Sequence, residues 1–261
     1  MKKYKLKIRS KNHTASKIRG IVKSPHRAVL RLGSITPTEA IFPNIPIEDI
    51  IEINTPEGCK ISGNKILMKR AFEASGVKTA DWKVCDDIGD WDIFPAIIKH
   101  KHSSKGNGIF YIKDQDDLDN FRVSHQDKLN NYIIEKYFSY SREYRLHVTA
   151  EGYFYTCRKM LKEEAEERWH RHDNNCVWIL EENPLFDKPN NWEEIVAECV
   201  KALAAVSLDI AAVDIKVQSA TNKQGVLRES PEFIILETNS APSLGAITAN
   251  KYVEQLTNML N

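Results

Sequence analysis

The clearest alternation of apolar and polar positions lies in the second half of the chain. Tyr144–Thr149 and Tyr153–Leu161 read as two strands joined at Glu151-Gly152, a pair suited to a tight turn. After a charged loop from Lys162 to Asn175 comes a short strand, Val177–Leu180. Trp192–Ser207 has the period of a helix, with Ile195, Val196, Cys199, Val200, Leu203 and Ala204 on one face. Two more strands, Ala211–Gln218 and Glu232–Thr238, flank a polar loop holding Asn222 and Gly225. A helix over Asn250–Leu260 closes the chain.

The first half mixes both periods. Tyr4–Ile8, Arg27–Leu32 and Ile50–Ile53 read as short strands around a loop punctuated by Pro37, Pro43 and Pro46. Asn64 has the character of a helix N-cap. Ile66, Leu67, Ala71, Phe72 and Ala74 follow at helical spacing, and Gly76 is a stop. Further strands are predicted at Thr79–Cys85, Phe94–His100, Ile109–Lys113 and Tyr132–Phe138, with a helix from Asp114 to about Ser124. Strands and helices interleave without an internal repeat, which predicts a mixed α+β fold rather than a bundle or a sandwich.

Composition narrows the class. With 42% hydrophobic and 28% charged residues over 261 positions, the chain can bury a sizeable core and is not a disordered one. Its most apolar stretch, Cys199–Val213, is interrupted by Lys201 and Asp209 and falls short of the roughly 18 residues a membrane span needs. The N-terminal MKKYKLKIRSKNH has the charge of a secretory leader but no apolar run behind it. Five cysteines without a CxxC pair argue against a disulfide framework or zinc site and predict a reducing, cytoplasmic setting. Residues 1–38 hold eleven Lys or Arg and no Asp or Glu, so the rest of the chain is net acidic. Such a block suits an acidic partner, either a polypeptide or nucleic acid, and equally a solvated basic face.

Three segments carry candidate chemistry. Lys99 ends a strand and precedes HKHSSKGNGI, where Ser103, Ser104, Gly106 and Gly108 form a polar turn able to aim backbone N–H groups at phosphate. It is no Walker A loop, and alone it also fits an ordinary hairpin turn. Ile133–Phe138 is an apolar strand with one carboxylate, Glu135, of the kind that can cover an adenine. Asp214 and Lys216 on one late strand, and Glu237 and Asn239 on the other, have i, i+2 spacing and so share a face within each pair. Paired as a hairpin, these strands bring Asp214, Glu237 and Asn239 together, a set of oxygen donors suited to Mg²⁺.

Taken in order, the motifs resemble the ATP-grasp superfamily, with its ribosomal-protein glutamate ligases nearest and D-alanine–D-alanine ligase more distant. They are Asn64-Lys65 opening a helix, FPAIIKHKHSSKGNGI, YIIEKYF, SREYRLHV, LDIAAVDIKV and FIILETNSAPSLG, over about residues 53–249. The resemblance implies two α+β subdomains gripping ATP, at 56–138 and 139–261, behind a short basic unit at 1–55. It implies Lys65 and Lys99 on the ATP phosphates under a mobile loop containing Ser103, Ser104, Gly106 and Gly108. Glu135, Lys136 and Phe138 fall at the adenine hinge, and Glu143 near the ribose. Asp214, Glu237 and Asn239 match ligands for two Mg²⁺ ions, or Mn²⁺ in their place.

For the substrates, the resemblance implies Arg158, and more loosely Arg171 with Asn174, as groups that bind acceptor and reacting carboxylate. Arg145 joins them on chemical grounds, because a guanidinium fork matches a carboxylate or a developing acyl phosphate; its bland alternative is a structural ion pair. His170 and His172 have no third ligand evident nearby, so they read as exposed histidines. The implied activity is an ADP-forming ligase that joins a carboxylate and an amine, the acceptor being a small molecule, peptide or protein. The rivals are an ATP-grasp phosphotransferase and a non-catalytic, ATP-responsive binding module for an acidic partner.

Overall fold

The computed structural model describes residues 6–11, 13–103, 107–172, 174–222 and 224–261. Ser104, Gly106 and the first residues of the expected Tyr4–Ile8 strand lie outside them. The N-terminal unit contains β1 (Leu6–Ser10), β2 (Ala28–Leu32), the single-turn α1 (Thr38–Ile41) and β3 (Ile51–Ile53). Its three strands pair in parallel in the order β1-β2-β3. Every residue of β2 is buried, including Arg31. Arg31 donates to Glu52 at 2.8 Å, Thr38 Oγ1 at 2.5 Å and the Thr36 and Asn54 carbonyls. At least this member of the basic block is therefore a structural ion pair and not part of a solvated face.

Helices α2 (Pro56–Ser62) and α3 (Lys65–Ala74) follow. A helix at 56–62 is not evident from sequence, because Pro56 and Gly58 read as breakers. In the fold Pro56 occupies the first helical turn, where it has no N–H to waste, and Thr55 caps the helix by accepting from Gly58 N–H. Gly58 is required by packing, since a Cβ there would lie 2.3 Å from the Ser207 carbonyl oxygen. Asn64 caps α3, accepting from the Ile66 and Leu67 N–H groups, and Gly76 follows at φ +63°.

The second sheet contains β4 (Trp82–Val84), β5 (Ala96–His100), β6 (Ile109–Ile112) and β7 (Tyr132–Lys136), antiparallel in the order β4-β7-β5-β6. Helix α4 (Gln115–Ser124), capped by Asp114, covers one face through Leu118 and Phe121. The strand expected over Thr79–Cys85 shrinks to Trp82–Val84, and its last residue begins a 3₁₀ turn.

The third sheet is the largest. It contains β8 (Arg142–Thr149), β9 (Gly152–Leu161), β10 (Cys176–Leu180), β11 (Ile210–Val217) and β12 (Phe233–Asn239), antiparallel in the order β10-β9-β8-β11-β12. Helix α5 (Trp192–Ala205) lays Ile195, Cys199, Ala202 and Leu203 against Tyr144, Leu146, Val213 and Ile215, and α2 and α3 join this core through Cys59, Met68 and Phe72. Fully burying each such aliphatic chain is worth about 1.5–3 kcal/mol. Helix α6 (Ala246–Leu260), which starts before the expected Asn250, sends Tyr252, Leu256 and Leu260 into the N-terminal unit beside Ile18, Leu30 and Leu32. All five cysteines are buried, and no disulfide joins them. Among the described residues no helix is long and apolar enough to cross a membrane.

Asn54 ties the first unit to the third sheet. It is fully buried at φ +62°, and its side chain donates to the Arg31 and Ile210 carbonyls at 3.0 and 2.9 Å and accepts from the Asp209 and Ile210 N–H groups. Its own N–H donates to the Asp209 carboxylate at 2.6 Å. Alanine would strand four polar partners, three of them buried, and place a Cβ residue without side-chain compensation in the left-handed region. Asn54→Ala is expected to lose roughly 3 kcal/mol or more in chemical denaturation. A loss under about 1 kcal/mol would mean that the two units are held together elsewhere.

Candidate functional site

Side chains alternate along each strand, so the third sheet has two unlike faces. One is the apolar face on α5. The other carries Glu143 and Arg145 from β8, Lys159 from β9, Asp214 and Lys216 from β11, and Glu237 and Asn239 from β12. Register places Glu143 beside both Lys159 and Lys216, Arg145 beside Asp214, and Asp214 directly opposite Glu237. A bulge follows at once: Ile215 pairs with Ile235, so Leu236 has no partner. Bulges of this kind re-aim neighbouring side chains.

Each carboxylate on this face has a cation. Arg145 holds Asp214 bidentately, Nε to Oδ1 at 2.7 Å and Nη2 to Oδ2 at 2.8 Å, with its guanidinium 4.9 Å from the Trp178 ring. Lys159 donates to Glu143 at 2.7 Å, and Lys65, from the start of α3, donates to Glu237 at 2.9 Å. Burial alone would raise the Asp214 carboxyl, but Arg145 outweighs it and holds the group below the usual carboxylate range. Burial and Asp214 likewise work to raise Glu237, and Lys65 keeps it low. Lys216 has no carboxylate partner among the described residues. It lies 4.1 Å from the Tyr140 ring centre, and burial pushes its ammonium down to about 8 despite Glu143 beside it.

The second sheet presents a matching group. Glu135 on β7 is buried and receives Lys99 from β5 and Lys69 from α3, the latter at 3.0 Å. Burial would raise Glu135, yet the two ammonium groups hold it well below the carboxylate range. Burial lowers Lys69, opposed by Glu135. Two cations on one carboxylate leave a positive excess. Beyond β5, Ser103 has a buried hydroxyl with no partner among the described residues, and its carbonyl accepts from Lys65 Nζ at 2.9 Å. Gly108, at φ +66°, closes the turn through His100 N–H.

The remaining sequence-derived candidates divide. Lys136 N–H donates to the Asp81 carbonyl at 2.9 Å, so this amide is not a free hinge donor. Phe138 is half-buried in the segment that carries the chain from β7 to β8. Arg158 pairs with Tyr144 and Ile179 in register, which places it on the opposite face of the sheet from Asp214; there it contacts Asp187 together with Arg142. The cation of β9 on the site face is Lys159, one residue on. Arg171 donates to the Ser141 carbonyl at 2.6 Å and lies 4.7 Å from the Tyr140 ring, near Lys216. Asn174 is exposed, and its carbonyl accepts from Lys162. His170 and His172 do have a third potential ligand nearby, Glu167, in contrast to their reading as isolated histidines. Lys69 and Lys159 belong to no motif. Their one trace in the sequence is that a charge interrupts an apolar helix face or strand.

The fold has solved counterparts. D-alanine–D-alanine ligase from Bacillus anthracis matches with a TM-score of 0.60 at 16% identity, covering 89% of this chain and 78% of that one. Its complex with ATP matches at 0.61 and 15%, covering 95% and 80%. N5-carboxyaminoimidazole synthase from Aspergillus clavatus, in complex with ADP and 5-aminoimidazole ribonucleotide, matches at 0.55 and 15%, and this chain spans about half of it, 52%. Both proteins are ATP-grasp members. The chain has the ATP-grasp fold. No family model matches the sequence, and no curated protein matches it.

In this fold the two charged faces approach each other: Lys65 reaches Glu237, and Lys216 feels Lys99 and Glu135 across the gap. Lys65, Lys69, Lys99, Arg145, Lys159, Arg171 and Lys216 outnumber Glu135, Glu143, Asp214 and Glu237, so the cleft favours a polyanion. The oxygen-only set of Asp214, Glu237 and Asn239 fits Mg²⁺. Although Arg145 and Lys65 engage the carboxylates, each oxygen keeps a lone pair.

His147, two residues beyond Arg145 on the same strand, is 1% exposed and contacts Tyr252 Oη at 3.1 Å. Burial, with Arg145 adding to it, pushes its imidazole down to about 3. Unfolding restores an ordinary value near 6.5, so below that pH the unfolded state binds one more proton. Stability should fall by about 1.4 kcal/mol per pH unit from this group as pH drops below 6.5. Denaturation between pH 6.5 and 5 should show a profile flatter by that slope in His147→Gln. Parallel profiles would place the proton uptake elsewhere.

Proposed function

We propose that this chain is an ATP- and Mg²⁺-dependent, ADP-forming ligase that joins a carboxylate to an amine through an acyl phosphate. The observation that carries this reading is Asp214 facing Glu237 beside Asn239, on a sheet face whose cations meet Lys65 and Lys99 from the other side. Known proteins of this fold support it. D-alanine–D-alanine ligase is by its name a ligase of two alanines, and one of its structures holds ATP.

The chain's residues divide the work. Lys65 and Lys99 hold the triphosphate, and Ser103 offers to the same anion a hydroxyl that has no partner among the described residues. Asp214, Glu237 and Asn239 would hold Mg²⁺, which would supply charge neutralisation of the phosphates. Arg171 orients the substrate carboxylate, whose oxygen attacks the γ-phosphorus as the bond to the β-phosphate oxygen breaks and ADP leaves. The amine nitrogen then attacks the acyl carbon. Phosphate departs with the C–O pair, the nitrogen loses a proton, and an amide remains. Lys65 ties the loop after β5 to Glu237, so loop closure and metal binding share one side chain.

Incubation with ATP, Mg²⁺ and an amino-acid pool should yield ADP, free phosphate and a new amide detectable by mass spectrometry. ADP with a phosphorylated product would establish a phosphotransferase instead, and ATP binding without turnover would establish a binding module. Glu237→Gln should abolish Mg²⁺-dependent turnover in a folded protein. Lys99→Ala should lower kcat/KM for ATP about 100-fold, the scale for removing one preorganised charge, against a small effect for Lys101→Ala. Equal effects at the two lysines would overturn the phosphate assignment.

We take the acceptor to be acidic, a peptide or protein, because Arg9, Lys11, Arg19 and Lys23 are exposed on the N-terminal unit. Exposed charges are screened over about 10 Å at roughly 0.1 M salt. Lys11→Gln with Arg19→Gln and Lys23→Gln should therefore raise KM for the acceptor and flatten its salt dependence, leaving KM for ATP unchanged. Acceptor kinetics indifferent to both would return this face to solubility alone.

A further inference from the structure

The segment between β9 and β10 carries Glu-Arg-Trp-His-Arg-His at 167–172. One ligand atom from each of Glu167, His170 and His172 lies within 4.8 Å of the other two. His170 Nδ1 stands 3.6 Å from the Glu167 carboxylate, and His172 Nε2 stands 4.0 Å from it. Neither separation is a hydrogen bond. His170 Nδ1 is buried and has no hydrogen-bond partner among the described residues.

What holds the three together is Asn175. It is 8% exposed, and its side chain donates to the Glu167 and His170 carbonyls at 3.0 Å each and accepts from His172 N–H at 2.8 Å. One buried amide thus fixes the backbone of all three residues. Cys176 adds a contact to the His172 carbonyl. A solvated charged loop has no need of such a clamp.

We propose that Glu167, His170 and His172 form a second metal site, for a divalent transition ion of the Zn²⁺ kind. Two imidazoles and a carboxylate are nitrogen and oxygen donors of the sort Zn²⁺ takes, with a fourth position open to water. They differ in kind from the all-oxygen set at Asp214, Glu237 and Asn239, which suits Mg²⁺. Tetrahedral bonds of 2.0–2.1 Å put ligand atoms about 3.3 Å apart, so a group now within 4.8 Å would draw in around the ion. His172 would ligate through Nε2 and carry its proton on Nδ1. That gives up only the long 3.3 Å contact from Asn174 N–H.

The ion would act on the substrate side of the cleft. Arg171 lies between the two histidine ligands and reaches the Ser141 carbonyl and the Tyr140 ring. Trp169 lies against Tyr111 of the second sheet, ring centres 5.3 Å apart, and its carbonyl accepts from Tyr140 Oη. Fixing residues 167–172 therefore fixes a cation and an aromatic ring that touch both sheets.

The test is a Co²⁺ titration of the full, metal-stripped chain, read by visible absorption, followed by Zn²⁺ competition. One equivalent should give the intense spectrum of a four- or five-coordinate nitrogen site, in the wild type and equally in Glu237→Gln. His170→Gln with His172→Gln should abolish that spectrum and weaken Zn²⁺ by at least about 100-fold. Glu167→Gln changes an exposed side chain and should leave the fold intact while weakening Zn²⁺ by about 10-fold or more. Any of three results overturns the site: no stoichiometric spectrum in the wild type, a spectrum that survives the histidine changes, or one lost in Glu237→Gln. The readout needs no ATP and no acceptor, so it stands or falls apart from the ligase reading.

Discussion

Asp214 and Glu237 face each other across the β11–β12 pair, and the surrounding site is organised around the repulsion between them. Like charges directly opposed on neighbouring strands are destabilising, and burial makes each charge harder to keep. The chain answers with cations from outside the hairpin. Arg145 comes from the next strand and Lys65 from α3, and each brings an element with it. Asp214 thereby fixes the β8 face, and Glu237 fixes the start of α3 against the third sheet. A cation bound between the two carboxylates would relieve the same repulsion that Arg145 and Lys65 relieve.

The second sheet meets the opposite difficulty. Glu135 is one carboxylate for two ammonium groups, and Lys216 opposite them lies over the Tyr137 and Tyr140 rings with no ion-pair partner among the described residues. Removing one partner from a buried charged pair is costly, but an unbalanced cluster facing a cleft is relieved when an anion enters. The fold thus places a surplus of positive charge on one wall and opposed carboxylates on the other. A triphosphate with its metal ions complements both at once, which neither wall could do alone.

Much of this was legible in the sequence where the signal is local. Asn64 before an apolar helical face, Gly76 after it, and the i, i+2 spacing of Asp214, Lys216, Glu237 and Asn239 each follow from short-range geometry. The choice between Arg158 and Lys159 was not local. Adjacent residues on a strand point to opposite faces, and only the register against Glu143 and Tyr144 decides which of them meets the site. Lys69 was hidden for a related reason, because its partner Glu135 is far along the chain and a helix pattern shows only that a charge interrupts an apolar face. Helix α2 was hidden because Pro56 and Gly58, breakers in most contexts, here serve as its first turn and its point of close approach to Ser207.

The N-terminal unit shows how far charge counting goes. Eleven basic residues without an acid look like one electrostatic surface, yet the fold divides them. Arg31 is wholly buried, spent on Glu52, Thr38 and two carbonyls, while Lys17 donates to the Leu244 carbonyl just before α6. Those two stitch the unit internally and to the last helix, whose Tyr252, Leu256 and Leu260 complete its core. Asn54 makes the remaining tie, to Ile210 at the head of the strand that carries Asp214. The unit is therefore part of the platform under the site. The basic residues left exposed sit on a scaffold bonded to the beginning of β11, the strand that carries Asp214.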